Sequence, residues 1–372
     1  MPTVRIEATG YVYRNPAPNV FARQAYFPSI VQLPGGALLA SFDMGSAMEN
    51  RDVRTYTSRS DDGASSWSPP ALIYDPTDLK YPASTLGRIS KLSSGSLVAV
   101  VLVCDRSRVS EGLANVQTEG YVETRFATLT SDDNGRSWTQ PRWVTPPMDW
   151  NAFEICSPIV ETRPGRWLLP TSVWRRWNGD CAPGMKAVAF VSDDAGATWL
   201  HCAEVFDLWD NTITAWEQKH TQLSDGRWLV VCWAYDYAQS KSAPNRYTFS
   251  LDQGRTFGPA HVAPIAGETC TPFALTDNHV LFVYRRVDER GLWAQLARFE
   301  DERWIPLTDE PLWGAGREAY TQNSANKMEE MSTLQFGYPQ CVRLGDGSVL
   351  VVFWCVERCV ACIRWLRLRV SQ

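Results

Sequence analysis

Ser131–Trp138 reads SDDNGRSW, and the same frame returns as SDDGASSW (Ser60–Trp67), SDDAGATW (Ser192–Trp199) and SLDQGRTF (Ser250–Phe257). The shared form is S-x-D-x-G-x-[ST]-[WF], with Ala64 in the first copy where the others carry Gly. An Asp able to bond its own backbone, a Gly free to take positive φ and an anchoring aromatic together describe a hairpin tip. The copies start 71, 61 and 58 residues apart, in order, which makes them marks of an internal repeat. Repeats of this length build propellers or solenoids.

Working outward, each tip follows an apolar strand, a turn and a second apolar strand. The units are Phe27–Phe42, Leu86–Val103, Ser157–Val173, Lys219–Ala234, Thr271–Tyr284 and Tyr338–Trp354, with turns at Gly36, Gly95, Gly165, Gly226, Asn278 and Gly347. The segments are short, rich in β-branched residues and bounded by Gly, Pro, Asn and Asp, which is a strand signature. No long stretch has helical periodicity with good caps. Six such units predict an all-β fold, a single six-bladed β-propeller of four-stranded antiparallel blades over residues 1–372. The sixth unit has only one further strand, near Ile363–Val370, so TVRIEA and GYVYR at the N-terminus are expected to complete that blade and cover its edge.

Bulk properties narrow the partners. A net charge of −5 without a basic stripe argues against nucleic acid, and no segment is apolar enough to cross a membrane as a helix. MPTVRIEATG lacks a basic region followed by an apolar run, so a cytoplasmic location is the expectation. Most of the ten cysteines lie in apolar strands as small buried hydrophobes. Cys355, Cys359 and Cys362 have a C-x3-C-x2-C spacing, but strand alternation splits their faces and no matched pair follows, so core packing is expected and no metal is assigned. Nothing calls for a cofactor.

The repeated tips, one in each of the first four blades, resemble the Asp-boxes of the sialidase (neuraminidase) superfamily, and the resemblance spans nearly the whole chain. It implies that Asp62, Asp133, Asp194 and Asp252 are structural and that chemistry sits on the opposite face, on a carbohydrate substrate. Three positions are similar to the sialidase pattern. Glu217 lies nine residues before Gly226, as does the Glu that assists the nucleophile; Tyr338 lies nine before Gly347, as does the nucleophilic Tyr; Asp52 lies eight before Ser60, as does the acid/base Asp. The chemistry is coherent: glycoside cleavage needs an acid for the leaving oxygen, and a phenol attacks only with a carboxylate to take its proton. The resemblance therefore implies an exo-glycosidase with Asp52, Glu217 and Tyr338 as catalytic residues.

The arginines that grip a sialic acid carboxylate are replaced. Tyr26 stands at the first position and Trp233, sixteen residues after Glu217, at the second; Arg285, Arg286, Arg298 and Arg317 compete for the third. Aromatics in place of two arginines suit a neutral or deoxy sugar. Glu154 and Glu268 precede the inner strands of blades three and five. Glu154 with Glu217 offers an alternative, an inverting carboxylate pair as in exo-arabinanase-like propellers. Arg88 is a further rim candidate for substrate binding. A non-catalytic glycan-binding propeller is the remaining alternative. The stretches Asp105–Arg125 and Thr308–Phe336 are long enough to overhang the centre. The oligomeric state is left open.

Overall fold

The computed structural model describes residues 2–108, 111–265, 267–286, 288–315 and 333–371. It contains six four-stranded antiparallel sheets, five of them built in sequence order from an inner to an outer strand and the sixth completed by the N-terminal strand. Blade one comprises Gln24–Gln32, Leu38–Gly45, Arg54–Ser60 and Ala71–Leu72; blade two comprises Ala83–Lys91, Leu97–Asp105, Thr124–Ser131 and Arg142–Trp143. Blades three and four run through Val160–Arg163, Arg166–Ser172, Ala187–Ser192 and His201–Phe206, then Ile213–Gln222, Trp228–Asp236, Lys241–Ser250 and His261–Val262. Blade five is Gly267–Ala274, His279–Arg286, Gly291–Glu300 and Arg303–Trp313. Blade six uses Phe336–Arg343, Val349–Glu357 and Val360–Ser371, and its outer strand is the N-terminal Thr3–Tyr13. Thr3 pairs with Ser371 and Tyr13 with Ile363, so the two chain ends close the ring as the sequence predicts.

The second strands are mostly apolar because they pack on both faces: Leu97–Cys104 and Val349–Cys355 are fully buried. Core clusters lie between blades rather than within them; Leu281 and Val283 of blade five, for example, pack with Val351 and Phe353 of blade six.

All four S-x-D tips join a third strand to an outer strand and share one hydrogen-bond set. In the second, Ser131 Oγ donates to Asp133 at 2.8 Å and accepts from Gly135 N–H at 2.9 Å, while Ser137 donates through N–H and Oγ at 2.9 and 2.5 Å. Hydroxyl and amide donors from the Ser or Thr four residues on hold the carboxyls of Asp62, Asp133 and Asp194 well below the ordinary range. These tips lie at the same end of the blades as the first turns. The inner strands begin, and the second strands end, at the opposite end.

Candidate active site

A cavity of about 150 Å3 opens at that opposite end, lined mainly by apolar and aromatic groups. Its floor follows a numerical rule. Phe27, Leu86, Glu217, Thr269 and Tyr338 each lie nine residues before their blade's turn residue, and all five line the cavity. In four of these blades the inner strand slips register at this point, between Tyr26 and Ser29, Trp216 and Lys219, Glu268 and Thr271, and Gly337 and Gln340. The bulged residues take left-handed backbone, with φ of 49° at Phe27, 48° at Glu217, 52° at Thr269 and 52° at Tyr338. A bulge re-aims a side chain out of strand alternation, and a non-glycine residue at positive φ persists only where surrounding structure holds it. A second ring lies sixteen residues further on, where Trp233, Arg285 and Trp354 line the cavity and Asp43 supports it from behind.

The bulge relocates one expected contact. Tyr26 is turned into the core, edge-on to Trp354 at 5.3 Å, and the neighbouring Phe27 takes its place in the lining. Asp52 is exposed and not among the lining residues; its carboxylate accepts from the Ser46 N–H at 3.1 Å and from the Ser46 hydroxyl. The blade-one loop instead contributes Glu49, whose carboxylate accepts the Leu113 N–H at 2.7 Å and whose pKa is raised by burial. Arg317 lies outside the described residues. Arg286 pairs with Asp288 at 2.6 Å and Arg298 with Glu300, and neither lines the cavity.

The remaining candidates converge. Glu154 and Glu217 come from adjacent blades, and the Glu217 N–H donates to Glu154 Oε1 at 2.9 Å. Cys156 Sγ donates to the same oxygen at 3.1 Å. Burial, then the charge of Glu217, push Glu154 up to about 7. Glu217 is also raised by burial, but Lys219 and Arg285 counteract the shift, and Trp233 Nε1–H donates to its Oε2 at 2.8 Å. Of the two acids, Glu217 is therefore the one that ionises first and Glu154 the one that keeps its proton. Trp174 stacks on Trp216 at 5.0 Å and Trp216 meets Trp233 at 4.6 Å, forming an aromatic wall beside both carboxyls.

Tyr338 sits between cations. Its hydroxyl accepts from Arg88 Nε at 2.9 Å and donates to the Cys156 carbonyl at 2.6 Å, and Lys219 Nζ lies 3.5 Å from its ring centre. Burial pushes its phenol well above the usual range and lowers Lys219 to about 7. Arg88 is neutralised by the buried Asp43 at 2.7 Å, and Arg285 by the buried Glu268. Asp43 also accepts from Thr55 Oγ1 at 2.7 Å and Gly87 N–H at 2.9 Å. Asp43, Glu49, Phe27 and Lys219 were missed from the sequence, although the nine-residue offset marks Phe27 and the sixteen-residue offset marks Asp43. His220 is half-buried, held to Gln218 at 2.9 Å and lowered to about 3 by desolvation, and does not line the cavity. Cys355 and Cys362 face each other across paired strands, Sγ to Sγ 3.8 Å, beside Glu357, which is held by Tyr11 at 2.5 Å and Arg364 at 2.6 Å. Burial pushes the Cys355 thiol up, which favours the packed, protonated form.

Solved structures share this architecture. A protein of unknown function from Dyadobacter fermentans superposes with a TM-score of 0.72 at 19% identity, covering 100% of both chains. The α-L-arabinanase of Penicillium chrysogenum, solved with arabinobiose, gives 0.68 at 14% identity, covering 100% of this chain and 99% of that one. The NanB sialidase of Streptococcus pneumoniae gives 0.66 at 14% identity, covering 98% of this chain and 70% of that one. At these identities the likeness is one of fold. No curated protein sequence matches the chain. Among the described residues no helix is long and apolar enough to cross a membrane. The family model for the BNR repeat-like domain matches residues 36–351, and the chain belongs to that family as a sialidase-like six-bladed propeller.

Proposed function

We propose that the chain is a glycoside hydrolase that removes a terminal, uncharged sugar, with Glu154 as the acid and Glu217 as its carboxylate partner. The observation that carries this reading is the pair itself: two glutamates from adjacent blades, joined by the bond from the Glu217 backbone N–H to the Glu154 carboxyl, both lining an aromatic cavity in which Glu154 is pushed up to about 7. Glu154 Oε1 is occupied by two donors, so the proton belongs on Oε2, from which it passes to the leaving oxygen. Glu217, ionised, assists attack at the anomeric carbon from the other side, as base or nucleophile. The aromatic wall offers faces to the C–H groups of a sugar ring. Arg88 and Arg285 are already balanced by Asp43 and Glu268, which disfavours a sugar carboxylate.

A second reading has Tyr338 as nucleophile, assisted by Glu217 with Asp52 as acid. It is favoured by Arg88 and Lys219 around the phenol, which would stabilise a phenolate. Against it, the hydroxyl donates to a carbonyl rather than a carboxylate.

A panel of aryl glycosides that includes a sialoside supplies the test. Glu154→Gln and Glu217→Gln are expected to lower kcat/KM on the accepted neutral glycoside by about 10²-fold or more, and Asp52→Asn by less than about threefold. Loss with Tyr338→Phe but not with Glu154→Gln would transfer the chemistry to the tyrosine. Absence of turnover across the panel would leave a glycan-binding propeller.

A further inference from the structure

A second, larger depression of about 690 Å3 lies beside the first, between the loops of blades two and three. Tyr121 lines both, so the two spaces are neighbours across one side chain. Blade three, which carries Glu154, supplies one wall. A leaving group that takes its proton from Glu154 has this depression close at hand.

The wall is held in place from both sides. The short hairpin formed by Ala114–Asn115 and Gly120–Tyr121 is tied to blade three, with Asn115 Nδ2 and Thr118 Oγ1 donating to the Trp177 carbonyl at 3.1 and 2.7 Å. The Trp174 indole donates to the Glu119 carbonyl at 3.1 Å, and the Tyr121 N–H to the Arg175 carbonyl at 2.8 Å. On the blade-one side, Glu49 accepts the Leu113 N–H at the hairpin's base. Arg176 lies 4.0 Å over the Trp150 ring with its Nε on Asn151 Oδ1 at 3.0 Å, and Arg108 lies 4.6 Å over Trp177.

The chemistry of the lining is mixed by design of its residues. Arg176 and Arg108 supply donors, Asp105 and Glu123 supply acceptors, and Asn151 and Asn178 supply both, around the indole of Trp177. Formal charges cancel. Such a surface does not select an anion, and its donors and acceptors would go unpaired against a wholly apolar aglycone, while its apolar part suits the C–H faces of a sugar. It matches a ring of hydroxyls, each of which both donates and accepts. We infer that this depression is the subsite for the second sugar of the substrate, the residue from which the terminal one is cut, so that the natural substrate is an oligosaccharide. This rests on the hydrolase reading above for its direction, but binding can be measured without turnover.

Two variants probe the depression: Trp177→Ala, and the milder Glu123→Ala, whose carboxylate is exposed. Activity is compared on the accepted aryl glycoside and on disaccharides that carry the same terminal sugar on a second pyranose. The variants are expected to lower kcat/KM on a disaccharide by about tenfold and to stay within about twofold of the parent on the aryl glycoside. Equal loss on both substrates, or none on either, overturns the assignment. Calorimetry with the Glu154→Gln protein, titrated with a set of pyranose disaccharides and their monosaccharides, gives the independent arm. A disaccharide should bind about tenfold tighter than its terminal monosaccharide, and the second substitution should abolish the difference. No difference, or one that survives both substitutions, overturns the subsite. Binding that depends on Trp177 in a protein with no turnover would instead retain the subsite and reject the hydrolase reading.

Discussion

At the scale of single residues, the centre is governed by how few charges it can hold. Glu154 and Glu217 are half-buried beside the buried Lys219, and desolvation drives each of the three toward its neutral form. Because Glu217 helps to raise Glu154, Glu217→Gln should move the Glu154 titration to lower pH than about 7, followed by the carboxyl carbon resonance in NMR. An unchanged midpoint would mean that burial alone sets it. The sign for stability follows from the same shift. Glu154 binds its proton more tightly folded than unfolded, so its contribution is full below the unfolded pKa and is lost as pH rises through about 7. Glu154→Gln removes that loss and should melt higher than the parent at pH 8, relative to pH 5, while losing activity. Glu217 and Tyr338 were legible in the sequence because their offset from a turn glycine is fixed by strand length. The exchange of Tyr26 for Phe27 was not, since alternation cannot reveal where a bulge reverses it. The position of Asp52, tied back to Ser46, depends on a loop whose path spacing does not determine.

At the scale of elements, the S-x-D tips show how one pattern tolerates a deviation. Ala64 holds φ of 78° where the other tips use Gly135, Gly196 and Gly254 at 81°, 77° and 77°. Space differs between the copies: a Cβ on Gly135 would meet Leu39 Cδ2 at 2.4 Å, and one on Gly254 would meet Leu168 Cδ1 at 2.4 Å. Gly135→Ala should therefore destabilise by about 1–3 kcal/mol through clash and strain. Ala64→Gly should stay within about 1 kcal/mol of the parent, because relief of positive φ offsets lost packing and added unfolded-state freedom. Thermal melts of the two variants check this; equal losses would show that the first tip is not built like the second. The overhanging segment after Asp105 was readable as a long loop, and its hairpin was not. That hairpin is two residues per strand, and its pairing is stabilised by side chains and carbonyls of blade three.

At the scale of the whole molecule, ring closure joins residues that are 368 apart, with Thr3 bonded to Ser371 through their hydroxyls at 2.8 Å. Removing residues 1–13 would bare the backbone edge of Val360–Ser371 and take Val4 and Val12 from two core clusters. The truncated chain should melt at lower temperature and aggregate with time, as read by calorimetry and light scattering; a melt equal to the parent's would make the N-terminal strand dispensable. Closure, blade number and the outer position of the tips were all set by the sequence alone, because a local pattern repeated six times specifies its own neighbours. The sequence likewise pointed to the far end of the blades as the place for the site, where the aromatic-lined cavity lies. Tertiary structure alone decided which acids meet. Glu154 touches Glu217 across 63 positions, and Arg88 reaches Tyr338 across 250. Such pairings, and the buried partners that neutralise Arg88 and Arg285, arise from the angle between blades and the bulges on their inner strands. Neither leaves a periodic mark in the chain, because each depends on packing against residues distant in sequence.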